Sequence, residues 1–476
     1  MDVFHFTDQS VSGGGLDTQK HQLYDHIVSF SYSKSIASPS GSFQCKILPV
    51  KDYSKFISPG DWVQIYLTTD TDKKHKRVIG NVDRVALETV VSADGMSETF
   101  FVISGRDFGK IFQDTMIWFN PYKIGGMQFT ILDKVNKLGG PSNVLIKNLI
   151  DLFLNDTTTI PNCSTSLNYW YVGYKLAKEL GSHGHPQFAD FLNLDDLKVA
   201  QPGYKLIPTM NTQGNLWELL TTISNEVINS MYAELYENEE GITLPKLFFG
   251  VRPYTFRTYS SKKVPVRYFL DLPEVAISSD SIIRSSTGIN DHDRFNMFFL
   301  RLKEEPIFKA TEARLFSNPA LVMNKESIKR NGLRLFQRTV DYGSIGQNGT
   351  IDLDIYESYL DLVTQWYKGN HLLENGTFSI VGSPDVRIGK RLVITDSDVY
   401  PNRQFLIESY TDEWNYQDIW RQTIGVTRGI VVEDGAEKYA YEGSESLFNI
   451  SAISDVKNTP TMDFANNADA LGGELA

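Results

Sequence analysis

The stretch FSIVGSPDVRIGKRLVITD, Phe378–Asp396, decides how the chain is read. Gly382 and the Gly389-Lys390 pair bracket a short polar segment between two apolar runs. This has the outline of a phosphate-binding loop, but the chemistry fails. Six residues, Ser383 to Ile388, separate the two glycines where a phosphate loop has four. Arg391 stands where the Mg²⁺-binding hydroxyl belongs, and Pro384 removes one of the amide donors a phosphate cradle uses. Arg391-Leu-Val-Ile-Thr395 is β-rich where a helix should begin. The stretch reads as strand, Gly/Pro turn, strand.

Downstream, Pro401-Asn402 precedes a second run, Arg403–Tyr410, and a further loop precedes a third, Trp420–Val426. The same phrase occurs near the N-terminus. A Pro59-Gly60-Asp61 turn leads into Trp62–Leu67, and a charged loop over Thr69–Lys76 leads into Arg77–Val85. The Asp94-Gly95 turn then leads into Thr99–Ser104. Matching strand ends set Arg106 against Arg428, 46 positions after Gly60 and 39 after Gly389. Identity is slight, so the echo is structural.

Short strands with regular turns predict a mainly β, α+β protein with two similar antiparallel β-barrel domains. The first covers 28–110; the second is split over 266–300 and 378–430. Inserted α+β domains fill 111–265 and 301–377. Residues 1–27 read as a polar leader with a flexible Ser12-Gly-Gly-Gly15 stretch, and 431–476 as an acidic extension. Helices are expected over Asn143–Leu154, over Gly214–Met231 and over Asp354–Tyr367. The second carries Leu216, Leu219, Leu220, Ile223 and Val227 on one face; the third carries Ile355, Tyr359, Leu362, Val363 and Trp366.

A chain of 476 residues exceeds one compact core, so several domains are expected. No apolar run is long enough for a transmembrane helix, and the N-terminus lacks a secretory pattern. Two cysteines, Cys45 and Cys163, exclude a disulfide framework or a Cys-rich zinc module and fit a reducing compartment. A net charge of −12 argues against a nucleic-acid binder, and −7 of it lies in Val431–Ala476, nine acids against two lysines.

No residue set carries catalysis. His183-Gly-His185 lacks a third ligand at motif spacing, and Asp291-His-Asp-Arg294 lacks calcium-loop spacing and reads as a polar turn before a strand. Neither H-E-x-x-H nor G-x-S-x-G occurs. Asp72-Lys-Lys-His-Lys-Arg77 reads as a solvated hairpin loop, its alternative being a salt-sensitive contact with an acidic partner. No catalytic, cofactor-binding or metal-binding residue is assigned, and no cofactor is expected.

A resemblance is carried by Asn215-Leu-Trp-Glu-Leu-Leu220, Leu247-Phe-Phe-Gly-Val-Arg-Pro253, Asp291-His-Asp-Arg-Phe-Asn296 and Ile328-Lys-Arg-Asn-Gly-Leu333. Asn375–Gly389 and Trp420–Gly429 complete it. Over residues 28–430 the chain resembles the baseplate hub proteins of contractile-tailed phages, a family with the phage late-control proteins and the hub half of type VI secretion spikes. The resemblance implies a non-enzymatic homotrimer in which each chain gives two similar barrels. Six barrels then form a ring that adapts a hexameric tail tube to a trimeric central spike. The implied partners are the spike, tail-tube or terminator-side ring proteins and baseplate wedge proteins. DNA and tape-measure protein pass through the lumen without specific binding, aided by acidic lumen residues, and no membrane is involved. The implied place is the virion tail baseplate, assembled in the host cytoplasm. The acidic extension is expected to dock the spike or a neighbouring baseplate protein. A tail-associated peptidoglycan hydrolase with dispersed carboxylates, or a receptor- or carbohydrate-binding tail module, is the alternative.

Overall fold

The structure is a computed structural model that describes residues 1–6, 18–23, 26–69, 73–91, 95–117, 140–141, 203–204, 214–224, 229–237, 243–255, 267–302, 322–340, 346–347, 350–351 and 353–440. The expected helix over Asn143–Leu154, the His183/His185 loop, Ser12–Gly15 and residues 441–476 lie outside the described residues.

Seven strands come from the N-terminal part: β1 (Asp2–Phe6), β2 (Thr18–Gln22), β3 (Ile27–Ser35), β4 (Ser42–Ile47), β5 (Trp62–Thr68), β6 (Lys74–Val91) and β7 (Ser97–Asp107). Helix α1 (Lys110–Asp114), helix α2 (Leu216–Ser224) and a hairpin, β8 (Asn229–Glu237) with β9 (Thr243–Val251), follow. Then come β10 (Glu274–Ser278) and β11 (Ile282–Gly288). A second insertion holds β12 (Met297–Leu302), α3 (Lys325–Asn331), β13 (Leu335–Val340) and α4 (Leu353–Tyr367). The last strands are β14 (Glu374–Val381), β15 (Arg391–Thr395), β16 (Arg403–Asn415), β17 (Arg421–Glu433) and β18 (Ala436–Tyr439).

Alternation decides the faces. In β4, Phe43, Cys45 and Ile47 are buried while Ser42 and Gln44 are exposed; in β3, Phe30, Tyr32 and Lys34 point inward. Strands β1–β7, with β10, β11 and β14–β18, form one sheet of 14 strands. Its halves repeat one order. The first runs β3-β4-β7-β6-β5 and the second β11-β14-β17-β16-β15, antiparallel at every step.

The duplication extends to irregularities. Each first strand bulges once, at Val28 and at Ile283. Each fourth strand bulges at Asp83 and at Glu408. The two glycine corners are wired alike. Gly60 donates to the Val82 carbonyl at 2.8 Å and receives the Val82 amide through Asp61; Gly389 donates to Ile407 at 2.9 Å and Lys390 accepts the Ile407 amide at 3.0 Å. Both glycines have positive φ, +99° and +75°. The register corrects the sequence alignment by one residue: Gly105 is equivalent to Val426, so Asp107, not Arg106, matches Arg428.

The mainly β, α+β class with antiparallel sheets holds, and the two halves share one sheet and one core running from Val3 and Phe30 to Ile424 and Val426. Four boundary expectations change. Residues 1–27 are not merely a leader, because β1 and β2 form a hairpin that adds to β5. Residue 431 does not start an extension, because β17 continues to Glu433 and pairs with β18. Met297–Leu302 leaves the second half and pairs with β13 and Val322–Met323 in a separate sheet. Helix α2 is described over Leu216–Ser224, and Asn229–Met231 opens β8, where β-pairing with Phe249–Val251 overrides helical periodicity.

Helix α4 packs Tyr359, Leu362, Val363 and Trp366 against Phe298, Leu300 and Phe336 of the separate sheet. Asp291–Asp293 is a single 3₁₀ turn capped by Asn290, as a polar turn before β12 requires. Asn296 is buried and ties the start of β12 to the segment before β13: its amide group donates to Gly332 O at 2.7 Å and accepts from Arg334 N at 2.8 Å. Beside it, burial, with Arg294 adding to it, pushes the His371 imidazole down to about 4 from 6.5. The folded state therefore holds His371 neutral where the unfolded chain protonates it. Its contribution is whole above about pH 6.5 and is lost as pH falls toward about 4. Urea unfolding between about pH 7 and about pH 5 should show stability falling less steeply in His371→Gln than in the parent; equal slopes would exclude His371 as the source.

Candidate functional site

The feature with functional content is the seam where the halves meet. Strand β3 pairs antiparallel with β16, Ser29–Ser35 against Asn415–Ser409. Backbone bonds extend it at both ends: Ile36 N to Glu408 O at 2.8 Å and Tyr416 N to Val28 O at 2.7 Å.

Under the seam lies a buried charge pair. Arg77 Nε donates to Asp412 Oδ2 at 2.8 Å, and both side chains are wholly excluded from solvent. Asp412 Oδ1 also accepts from Trp420 Nε1 at 3.1 Å and Gln422 Nε2 at 2.6 Å. The Arg77 guanidinium lies 4.8 Å from the Tyr410 ring centre and 5.5 Å from that of Trp420. Its Nη1 donates to the carbonyls of Pro384 at 2.9 Å and Val386 at 3.2 Å. The Phe378–Asp396 corner thus receives an arginine from the other half of the sheet.

The corner also receives the β8–β9 hairpin. Arg387 donates to Lys76 O at 2.9 Å, to Tyr410 Oη at 3.3 Å and to Glu234 Oε1 at 3.5 Å. Burial, then the Glu234 charge, pushes the Tyr410 hydroxyl well above its ordinary range. A side chain at Gly382 would overlap the Trp420 ring, and one at Gly389 would overlap the Tyr232 hydroxyl of β8. A second buried pair holds β3 to β7: Lys34 Nζ to Asp107 Oδ2 at 2.5 Å, with the Tyr32 hydroxyl donating to the same oxygen at 2.8 Å.

Arg77 is where sequence reading missed most. Lys74–Arg77 belongs to β6, and Arg77 is core rather than the end of a solvated loop. The available signal was its place at the head of the apolar run Val78-Ile79. The Asp291–Arg294 cluster is a turn with Arg294 Nε bonded to Asp291. Among the described residues no cluster of His, Cys, Asp or Glu is arranged to hold a metal, and no helix is long and apolar enough to cross a membrane.

The solvent face across the seam is a shallow groove lined by small hydroxyls, Ser31, Ser33 and Ser42 beside Thr411. Its acids, Asp83 and Glu413, face one base, Arg106, which bonds Asp83 at 2.9 Å. The acidic excess of the chain is therefore not concentrated in this groove.

No protein-family profile matches the chain, and no curated protein matches it. Solved structures do resemble it. A tail protein from Neisseria meningitidis MC58 shares 12% identity over 91% of this chain and 96% of its own, with a TM-score of 0.45. The 43 kDa tail protein of prophage MuSo2 from Shewanella oneidensis shares 13% over 90% and 97%, also at 0.45. An E. coli component of the type VI secretion system shares 7% over 87% and 76%, at 0.39. All three TM-scores lie below 0.5, and no function passes to this chain from them.

Two outcomes test the seam. Arg77→Met or Asp412→Leu alone should cost about 3–5 kcal/mol, because each strands a buried charge. The double variant should cost at least ~1 kcal/mol less than their sum in urea unfolding; strict additivity would mean that the two do not act as a pair. Gly389→Ala should cost roughly 1–3 kcal/mol more than Gly435→Ala, since both have positive φ but only Gly389 faces a side chain. Equal losses would show that Tyr232 moves aside freely.

Proposed function

We propose that this chain is a structural baseplate hub of a phage tail or related injection machine. It forms a homotrimeric ring between a hexameric tube and a trimeric spike. The observation that carries this reading is the internal duplication, with its halves joined edge to edge. Three chains with two like halves each present six like units, so one ring meets six-fold symmetry through the sheets. The insertions break the likeness. The connection from the first to the second strand spans residues 36–41 in one half and 289–373 in the other. A ring of such chains keeps only three-fold symmetry on the side where the insertions stand.

The wall suits passage rather than capture. A groove of small hydroxyls whose only base is paired with a carboxylate gives a phosphate backbone little to hold. On this reading the lumen owes its low adhesion to hydroxyls and internally paired charges, and DNA and tape-measure protein cross it without specific contacts. The protein is proposed as non-enzymatic and cofactor-free, with the spike, tube and wedge proteins of the tail as its partners and the virion tail as its place.

Light scattering of the purified chain, alone and with its spike, tests this. A mass of three chains, with a central hole in negative-stain images, is expected. A monomer even with the spike present would overturn the reading.

A further inference from the structure

The three-stranded sheet of the second insertion has two faces, and α4 packs on one of them. Phe298, Leu300 and Phe336 turn toward α4. Alternation turns Met297 and Phe299 of β12, and Leu335 of β13, the other way. Met323, Met297 and Leu335 lie opposite one another, so they form one row across the sheet. Met297, Phe299 and Met323 are half-buried, and Leu335 and the neighbouring Leu333 are 44% and 59% exposed. An apolar row with two flexible methionines suits an adaptable contact better than it suits water.

Charge marks the border of the same face. Helix α3 follows Met323 directly, where Asn324 N donates to Asn296 O at 2.8 Å, and the chain re-enters the sheet at Leu335. The helix therefore skirts the end of the sheet that holds the row. Lys325–Arg338 carries five bases and one acid, in a chain of net charge −12. Lys325, Lys329 and Arg330 are exposed, and none of the three forms an ion pair with a described residue. Unpaired bases beside an apolar row are complementary to an occupant that is both acidic and apolar.

The chain carries such a segment, and its point of departure is close. Tyr441–Val456 holds Glu442, Glu445 and Asp455 and no base, among Leu447, Phe448, Ile450, Ile453 and Val456. It begins two residues after β18. The Tyr439 hydroxyl of β18 lies 2.6 Å from where a Cβ on Gly369 would stand, just past the C-terminal end of α4. That end of α4 packs at the same end of the sheet: the Tyr367 ring lies 4.2 Å from that of Phe336 and 6.0 Å from that of Phe295. Phe336 is next in sequence to Leu335 of the row.

We infer that Tyr441–Val456 docks on its own chain over the Met323–Met297–Leu335 row, with its acids against Lys325, Lys329 and Arg330. The contact lies within one chain and does not rest on the ring reading above.

Chymotrypsin cleavage of the full chain after Phe448, followed by mass spectrometry, reads this contact, because a covered segment is cut only when it opens. Lys329→Glu with Arg330→Glu should speed that cleavage roughly three- to tenfold. Adding Glu442→Lys with Glu445→Lys to that chain should restore the parent rate. Leu335→Ser should speed cleavage as well, and added salt should speed it in the parent by screening the charges. One rate for the parent and the reversed chain would overturn the proposal, as would a faster rate that the added lysines do not reverse. A parent rate that rises on dilution would place the segment on a neighbouring chain and overturn the contact within one. Unchanged cleavage, together with binding of a fluorescein-labelled DNA duplex that is lost in Lys329→Glu with Arg330→Glu, would give the face to a phosphate backbone instead.

Discussion

The backbone ladder between β3 and β16 is the constraint on which the rest depends. It turns two seven-stranded halves into one sheet and sets the two glycine corners within one core. Backbone pairing alone does not choose register, but what lies beneath this ladder does. Slipping β16 by one residue would turn Asp412 outward and bring Glu413 or Thr411 into the core, stranding the Arg77 charge in a site closed to water. The buried pair therefore specifies alignment more than it stabilises.

That role explains the unusual chemistry of the Phe378–Asp396 corner. The loop offers Arg77 two carbonyls, sends Arg387 to Lys76 O and Glu234, and brings Gly389 against Tyr232. Both halves and the β8–β9 hairpin meet there. A phosphate loop presents amides to an anion; this corner presents carbonyls to a cation supplied by its own chain. The two look alike in sequence because each needs glycine where the backbone approaches another group.

Much of the fold was legible, and the failures are physical. The apolar face of α4 was plain, because the helix buries one face against one neighbour. The strand-turn-strand phrase at Gly60 and Gly389 revealed the duplication, although the matching of Arg106 with Arg428 missed by one residue. The shared arginine was a coincidence of identity: the register is set by the paired bulges at Asp83 and Glu408, which composition does not announce. The α2–β8 boundary was missed because the helical period read through Met231 runs past Asn229, where pairing with β9 takes over. The seam was not legible, since Arg77 and Asp412 lie 335 positions apart and a lysine-rich approach disguises the arginine.

Amide hydrogen exchange tests the central claim most directly: that the ladder between β3 and β16 holds both halves in one sheet over the buried Arg77–Asp412 pair. The account predicts that the seam amides of Ser29–Ser35 and Ser409–Asn415 exchange as slowly as those of β4 and β17, and that Asp412→Leu speeds exchange at the seam before it does so within either half. Fast exchange at the seam in the parent chain, with β4 and β17 protected, would contradict it.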